Sequence, residues 1–343
     1  MEYKLFITAI LFTYIYLINF FSKKYDIFID KSSVTEKHKL LLTQKNDQTP
    51  LSGFFYFIPL VFIILFKEDL ITFIVCLAFF VLGFMSDIKV AKSPKLRFLI
   101  QFILLAIYLH FNSHLIIDTR IDILNELMNN NIFRIFFASF FFLVLINGYN
   151  FIDGVNNLSS LNFLIVIFFL CLLSNDLKLE FYNSKIELLI ISLVVFVFFN
   201  FFGKNYLGDG AVYGLSFLIG YMALNLSLLE DKISPYFIAN LLWYPAFENF
   251  FSIIRRSFYK KKNYLPDNYH LHQMIYKYLK DKNFIKKSFL LSSVSGILIN
   301  SYLFIISLVA YNFYSHSDTQ ITLLFINMFL YIFVYRSLIG YSK

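Results

Sequence analysis

The chain has 343 residues, 59% of them hydrophobic and only 15% charged, with a mean hydropathy of +0.67 and a net charge of +8. These values exclude the two soluble domains that the length alone would suggest and describe a chain that lies mostly in a lipid bilayer. Its two cysteines, Cys76 and Cys171, fall inside separate apolar runs, so neither a disulfide framework nor a thiolate metal site is indicated.

Apolar runs recur along the chain, and about 20 helical residues cross a hydrocarbon layer of about 30 Å. The first span is expected near Leu5 to Phe21; no small-residue cleavage site follows it, and FSKKYD does, so it reads as a retained anchor. Further spans are expected near Leu51 to Phe66, Leu70 to Phe84, Phe98 to Phe111, Ile132 to Ile146 and Leu158 to Leu173. The rest lie near Ile186 to Phe202, Ala211 to Leu229, Pro235 to Ile254, Phe289 to Tyr314 and Ile321 to Gly340. The predicted fold is therefore all-α and polytopic, a single membrane domain over 1–343 with ten or eleven transmembrane helices. A loop over 255–288 is expected to carry a His-x-His motif.

With eleven spans the loops alternate between two sides. Those after spans one, three, five, seven and nine, with the C-terminus, hold about 23 of the 30 Lys and Arg residues. Lys23, Lys24, Lys89, Lys92, Lys95, Arg255 and Arg256 are among them, which predicts a cytoplasmic location for this side and an external N-terminus. The asymmetry accounts for the net charge without a nucleic-acid partner and provides a rim that attracts anionic lipid headgroups and phosphorylated ligands.

Four polar islands interrupt the apolar runs, all on that basic side: 83-GFMSDIKVAKSPKLRFLIQ-101, 147-NGYNFIDGVNNLSS-160, 200-NFFGKNYLGDGAVYG-214 and 255-RRSFYKKKNYLPDNYHLHQ-273. Each alone also reads as a turn, a cap or an interfacial contact; it is the coincidence of four on one face that points to a site. Asp87, Asp153 and Asp209 stand beside glycines or helix ends, where turns can bring carboxylates together. Such a cluster calls for a cation, and Mg²⁺ suits oxygen ligands that leave room for water and phosphate. The glycines of 208-GDG-210 allow positive φ and a close approach of backbone N–H groups to an anion at a helix start. His270 and His272 are placed to hydrogen-bond phosphate oxygens or hold a proton.

In this order the motifs resemble the polyprenyl-phosphate N-acetylhexosamine-1-phosphate transferases, the MraY and WecA family of glycosyltransferase family 4. The residues that carry the resemblance are Gly83 to Asp87 with Lys95, Leu96 and Gln101; Asn147, Asn150, Asp153, Gly154 and Leu158; Gly208, Asp209 and Gly210; and His270 and His272. The resemblance implies transfer of a sugar 1-phosphate from a UDP-linked amino sugar to undecaprenyl phosphate in the bacterial inner membrane, with release of UMP. It also implies a site open to the cytoplasm, Mg²⁺ with Mn²⁺ as a substitute, and room for a homodimer. By carry-over, Asp87, Asp153 and Asp209 are catalytic, and Asp209 and Asp153 hold the metal. Asn150, Asn200, Tyr206, Lys95, His270 and His272 bind substrate, with Tyr206 placed to stack on uracil.

The chain departs from the family pattern in three places. Ser86 stands where the first Asp of an Asp-Asp pair is expected, and Asn156-Asn157 replaces a second Asp-Gly. Near the first loop Asp30, His38, Pro50 and Gly53 echo the pattern, while Thr35-Glu36 replaces its Arg-Lys pair. These changes point away from peptidoglycan synthesis and toward a surface-polysaccharide branch. Two rivals from other classes are a multi-span transporter or lipid flippase, which would place charges at mid-membrane, and a non-catalytic relative.

Overall fold

The computed structural model describes residues 2–30, 49–67, 69–115, 118–179, 183–258, 269–283 and 285–342. His38, Thr35, Glu36 and part of the 255–288 loop lie outside them. Fourteen α-helices appear among the described residues: α1 (Glu2–Tyr25), α2 (Gly53–Leu65), α3 (Leu70–Asp87), α4 (Pro94–Phe111), α5 (Asp122–Met128), α6 (Asn131–Ile152) and α7 (Leu158–Asp176). They continue with α8 (Asn183–Phe201), α9 (Gly208–Leu229), α10 (Pro235–Leu241), α11 (Trp243–Phe258), α12 (Leu271–Asp281), α13 (Ser288–Asn312) and α14 (Ser317–Ser342). Two two-residue strands, β1 (Ile29–Asp30) and β2 (Thr49–Pro50), pair antiparallel and are the one addition to the all-α expectation.

Every expected span falls on a helix or helix pair, and eight helices among the described residues are long and apolar enough to cross a membrane. The span expected from Pro235 to Ile254 is broken at Leu242 into α10 and α11. Pro245 explains the restart: it has no N–H to bond back along the chain, and in the first turn of α11 none is needed. The 255–288 segment also differs from a plain loop, because α11 continues to Phe258 and α12 occupies Leu271–Asp281.

α9 is the axis of the bundle. It is buried almost all round and packs on α3, α6, α7 and α2. α11 turns an unusual face inward: Glu248, Ser252 and Arg256, spaced by four, are buried with Asn249, while Phe250, Ile253 and Ile254 are exposed. In water that pattern would be inverted; in a bilayer the lipid solvates the outer apolar stripe and the inner polar stripe must face a polar site.

Polar side chains buried elsewhere in the bundle find each other. Asn240 on α10 donates to the Gln320 side-chain oxygen on α14 at 2.8 Å, Gln320 donates to the Ala310 carbonyl at 2.6 Å, and Tyr302 donates to Asn327 at 2.6 Å. Such bonds join helices where water cannot satisfy the groups. At the same end Arg120 clasps the turns after α9 and α13, donating to the Asp231 carbonyl at 2.8 Å and to the Ser317 hydroxyl at 2.9 Å.

Candidate functional site

The tips of α3, α6, α8 and α11 meet the starts of α4, α7, α9, α12 and α13 around one cavity of about 960 Å³. Eight of the nine expected site residues line it: Lys95, Asp87, Asn150, Asp153, Asn200, Tyr206, Asp209 and His270. Side chains more than a hundred residues apart in sequence thus share one end of the bundle.

Gly83 and Gly208 show how the carboxylates are brought together. A Cβ on Gly83 would lie 2.2 Å from the Asp209 carbonyl oxygen, so α3 and α9 touch backbone to backbone only because this residue is glycine. One turn later Asp87 ends α3, and its two oxygens accept the N–H groups of Asp209 (2.9 Å) and Gly210 (3.0 Å). Gly208, at φ +74°, makes the turn that presents those N–H groups. Asp87 thereby satisfies otherwise orphaned donors at the α9 start and complements its positive end. All three expected carboxylates, Asp87, Asp153 and Asp209, line the one cavity. Asp87 turns its oxygens to the α9 start, and among the described residues no group of three or more His, Cys, Asp or Glu lies at metal-binding distances.

Asp209, in the first turn of α9, is held from three sides. Its Oδ1 accepts the Asn150 amide at 2.7 Å, and its Oδ2 accepts the Ser86 hydroxyl at 2.6 Å and the Arg97 guanidinium at 3.3 Å. Arg97 also donates to Ser86 in a short contact. Asn150 comes from the last turn of α6, and Asp153 caps that helix. Asp153 is recessed in the cavity, and burial, reinforced by the nearby Asp209 carboxylate, pushes its pKa up to about 7.

Asn200, which lines the cavity, is also engaged by the backbone. Its Oδ1 accepts the Asn157 backbone N–H at 2.6 Å, and its amide donates to the Asn205 carbonyl at 2.7 Å, so it fastens the start of α7 to the loop before α9. Tyr206 sits on that loop, where its N–H donates to the Pro50 carbonyl at 2.9 Å. The Asn156 backbone N–H is fixed by the Ser292 hydroxyl at 2.9 Å, and Asn300 donates to the carbonyls of Asn157 and Leu158, so α13 holds the island in place from behind.

His270 precedes α12 and lines the cavity; its Nδ1 lies 2.9 Å from Glu248 Oε1, and Glu248 Oε2 accepts the Tyr331 hydroxyl at 2.6 Å. His272 departs from its expected position. It is fully buried behind His270, ring centroids 5.6 Å apart, and its Nε2 would stand 2.4 Å from a Cβ on Gly154. Neither ring nitrogen has a hydrogen-bond partner among the described residues. Burial, reinforced by His270 and opposed by Glu248, lowers its pKa to about 3, so the ring is neutral at ordinary pH.

Three site residues escape the motif reading: Arg97, Glu248 and Arg256, whose guanidinium lies 5.6 Å over the Phe151 ring. Glu248 carries the clearest signal in the sequence, a single carboxylate within an apolar run, AFENFF. Arg97 is hidden among the basic residues of its island, where nothing in sequence separates a rim charge from one aimed inward.

The fold and cavity define a multi-pass membrane protein with a polar site at one end of its bundle. A family model described as glycosyl transferase family 4 matches residues 70–227, which contain three of the four islands. A phospho-N-acetylmuramoyl-pentapeptide-transferase from Dictyoglomus turgidum (strain DSM 6724 / Z-1310) is 25% identical over 244 residues, covering 67% of this chain and 75% of the relative. Over residues 70–227 the chain is similar to glycosyl transferase family 4, and both likenesses support a membrane transferase of the MraY- and WecA-like, polyprenyl-phosphate phospho-sugar kind.

Proposed function

We propose that the protein transfers a sugar 1-phosphate, of N-acetylhexosamine type, from a UDP-sugar to undecaprenyl phosphate at the cytoplasmic face of a bacterial inner membrane, and so begins a surface polysaccharide. The observation that carries the reading is the fixing of Asp209 by Asn150, Ser86 and Arg97 at the α9 start, inside a cavity lined by both polar and apolar side chains. The polar lining residues fit a nucleoside diphosphate. The wall formed by Phe98, Phe140, Leu143, Phe250 and Ile253 fits a prenyl chain. The basic loops at this end favour the cytoplasmic side.

An oxygen of the acceptor phosphate attacks the sugar-bearing phosphorus, the bond from that phosphorus to the bridging oxygen breaks, and UMP leaves with the bridging oxygen. A phosphate monoester is mostly dianionic at neutral pH, so Ser86 in place of an Asp does not deprive the reaction of a nucleophile. Positioning and charge neutralisation carry such a transfer. Asp209 and Asp153 fit the needs of Mg²⁺, or Mn²⁺ as substitute, which takes one or two carboxylates and fills its shell with water and phosphate. Such an ion, when bound, neutralises charge on the donor diphosphate. Lys95, Arg97 and Arg256 add fixed positive charge, His270 is presented to phosphate oxygens, and Tyr206 offers a ring for the base.

Membranes holding the protein, given labelled UDP-N-acetylglucosamine and undecaprenyl phosphate, should release UMP only when both lipid and divalent cation are present. Absence of UMP release with every UDP amino sugar tested would leave a non-catalytic relative as the better reading. Labelling of the enzyme by the donor without lipid would replace direct attack by a covalent route.

A further inference from the structure

Arg97 lines the cavity with its guanidinium on Asp209 and Ser86, next in sequence to the apolar lining residue Phe98. Its neighbour Phe98 is 50% exposed, and Phe140, Phe250 and Ile253 continue that wall onto the outer faces of α6 and α11. Large apolar side chains exposed on membrane helices face acyl chains, so a lipid tail lying on this wall brings its headgroup to the guanidinium.

We propose that Arg97 is the receptor for the phosphate monoester of the lipid acceptor, exchanging Asp209 and Ser86 for phosphate oxygens as the lipid enters; this rests on the transfer reading above. Among the described residues only Nη1 of the guanidinium is hydrogen-bonded, to Ser86 and Asp209, which leaves the other donors of its fork for an incoming anion. A guanidinium stays charged at all working pH values and meets two phosphate oxygens at once.

Ser86 is the complement of this arrangement. A carboxylate at residue 86 would give Arg97 a second anionic partner and repel the incoming dianion; the hydroxyl orients Asp209 and does neither. The replacement of an acidic residue at 86 therefore tunes the site toward holding the acceptor rather than removing a group the reaction needs. Asn156 and Tyr206 line the same cavity from the loops before α7 and α9.

The test is equilibrium binding of farnesyl phosphate, farnesol and UMP to the purified full-length protein in detergent, without sugar nucleotide. The native protein should prefer farnesyl phosphate to farnesol. Arg97→Ala should weaken farnesyl phosphate by about 10- to 100-fold, as loss of a charge-assisted hydrogen bond implies, and change UMP affinity by less than about threefold. Ser86→Asp, which retains Arg97, should weaken farnesyl phosphate in the same direction, and it carries the test alone should Arg97→Ala fail to fold. Equal affinity for farnesol and farnesyl phosphate, native-like farnesyl phosphate binding by folded Arg97→Ala, or equal losses for lipid and UMP would each overturn the proposal. Turnover is read separately: a native protein that binds farnesyl phosphate but releases no UMP refutes the transfer reading and leaves the Arg97 assignment standing.

Discussion

Glu248 on α11 and His270 at the start of α12 are joined by a 2.9 Å contact between carboxylate and ring nitrogen, closed on its far side by Tyr331 from α14. The carboxylate fixes which nitrogen of His270 carries the proton and turns the other edge of the ring toward the cavity. Glu248→Gln should lower the rate of UMP release about 10- to 100-fold, the scale of one charge-assisted hydrogen bond, while Tyr331→Phe should cost about tenfold or less. Both should elute as folded protein on size exclusion.

Asp209 is held by three donors from α3, α4 and α6, so its carboxylate is oriented before any ligand arrives. Asp209→Asn keeps the shape and removes the charge. UMP release should fall by at least about a thousandfold, with little change in melting temperature, and a chelator should have the same effect on the native enzyme until Mg²⁺ is restored.

A recessed carboxylate is costly when charged. Because Asp153 has its pKa raised to about 7, its charged form opposes folding above that pH, and this cost disappears below the unfolded value near 4. Asp153→Asn should therefore melt higher than the native protein at pH 8 in metal-free detergent, with the difference fading toward pH 4, while UMP release is lost. An unchanged melting temperature at pH 8 would show that the carboxylate is better solvated than its position indicates.

Gly154 leaves the space that the His272 ring needs. Gly154→Ala sets a Cβ 2.4 Å from Nε2, and overpacking of this kind costs about 1–3 kcal/mol. Thermal melts should show the loss, and His272→Ala in the same chain should recover part of it. Additive losses in the double variant would mean that the two residues do not share the space.

The sequence reveals the helices readily because a bilayer demands long apolar runs, and it reveals Asp153 and Asp209 because glycines and amides interrupt those runs in a recognisable order. It is silent on direction. Asp87 and Asn200 look like ligands in one dimension, yet Asp87 receives the first N–H groups of α9 and Asn200 the N–H of Asn157, since a short polar side chain beside a helix start serves the backbone as well as a substrate. His272 likewise shares a motif with His270, yet its ring lies stacked behind that of His270 and is fully buried. Arg97 and Glu248 gain their importance from partners 112 and 22 residues away, a distance no local pattern spans.

Ser292 and Asn300 of α13 grip the backbone of Asn156, Asn157 and Leu158. The chemistry of the first two thirds of the chain thus waits for a helix made near its end. A nascent polypeptide still emerging from the ribosome therefore lacks an assembled cavity at this end until α13 has been threaded into the bilayer.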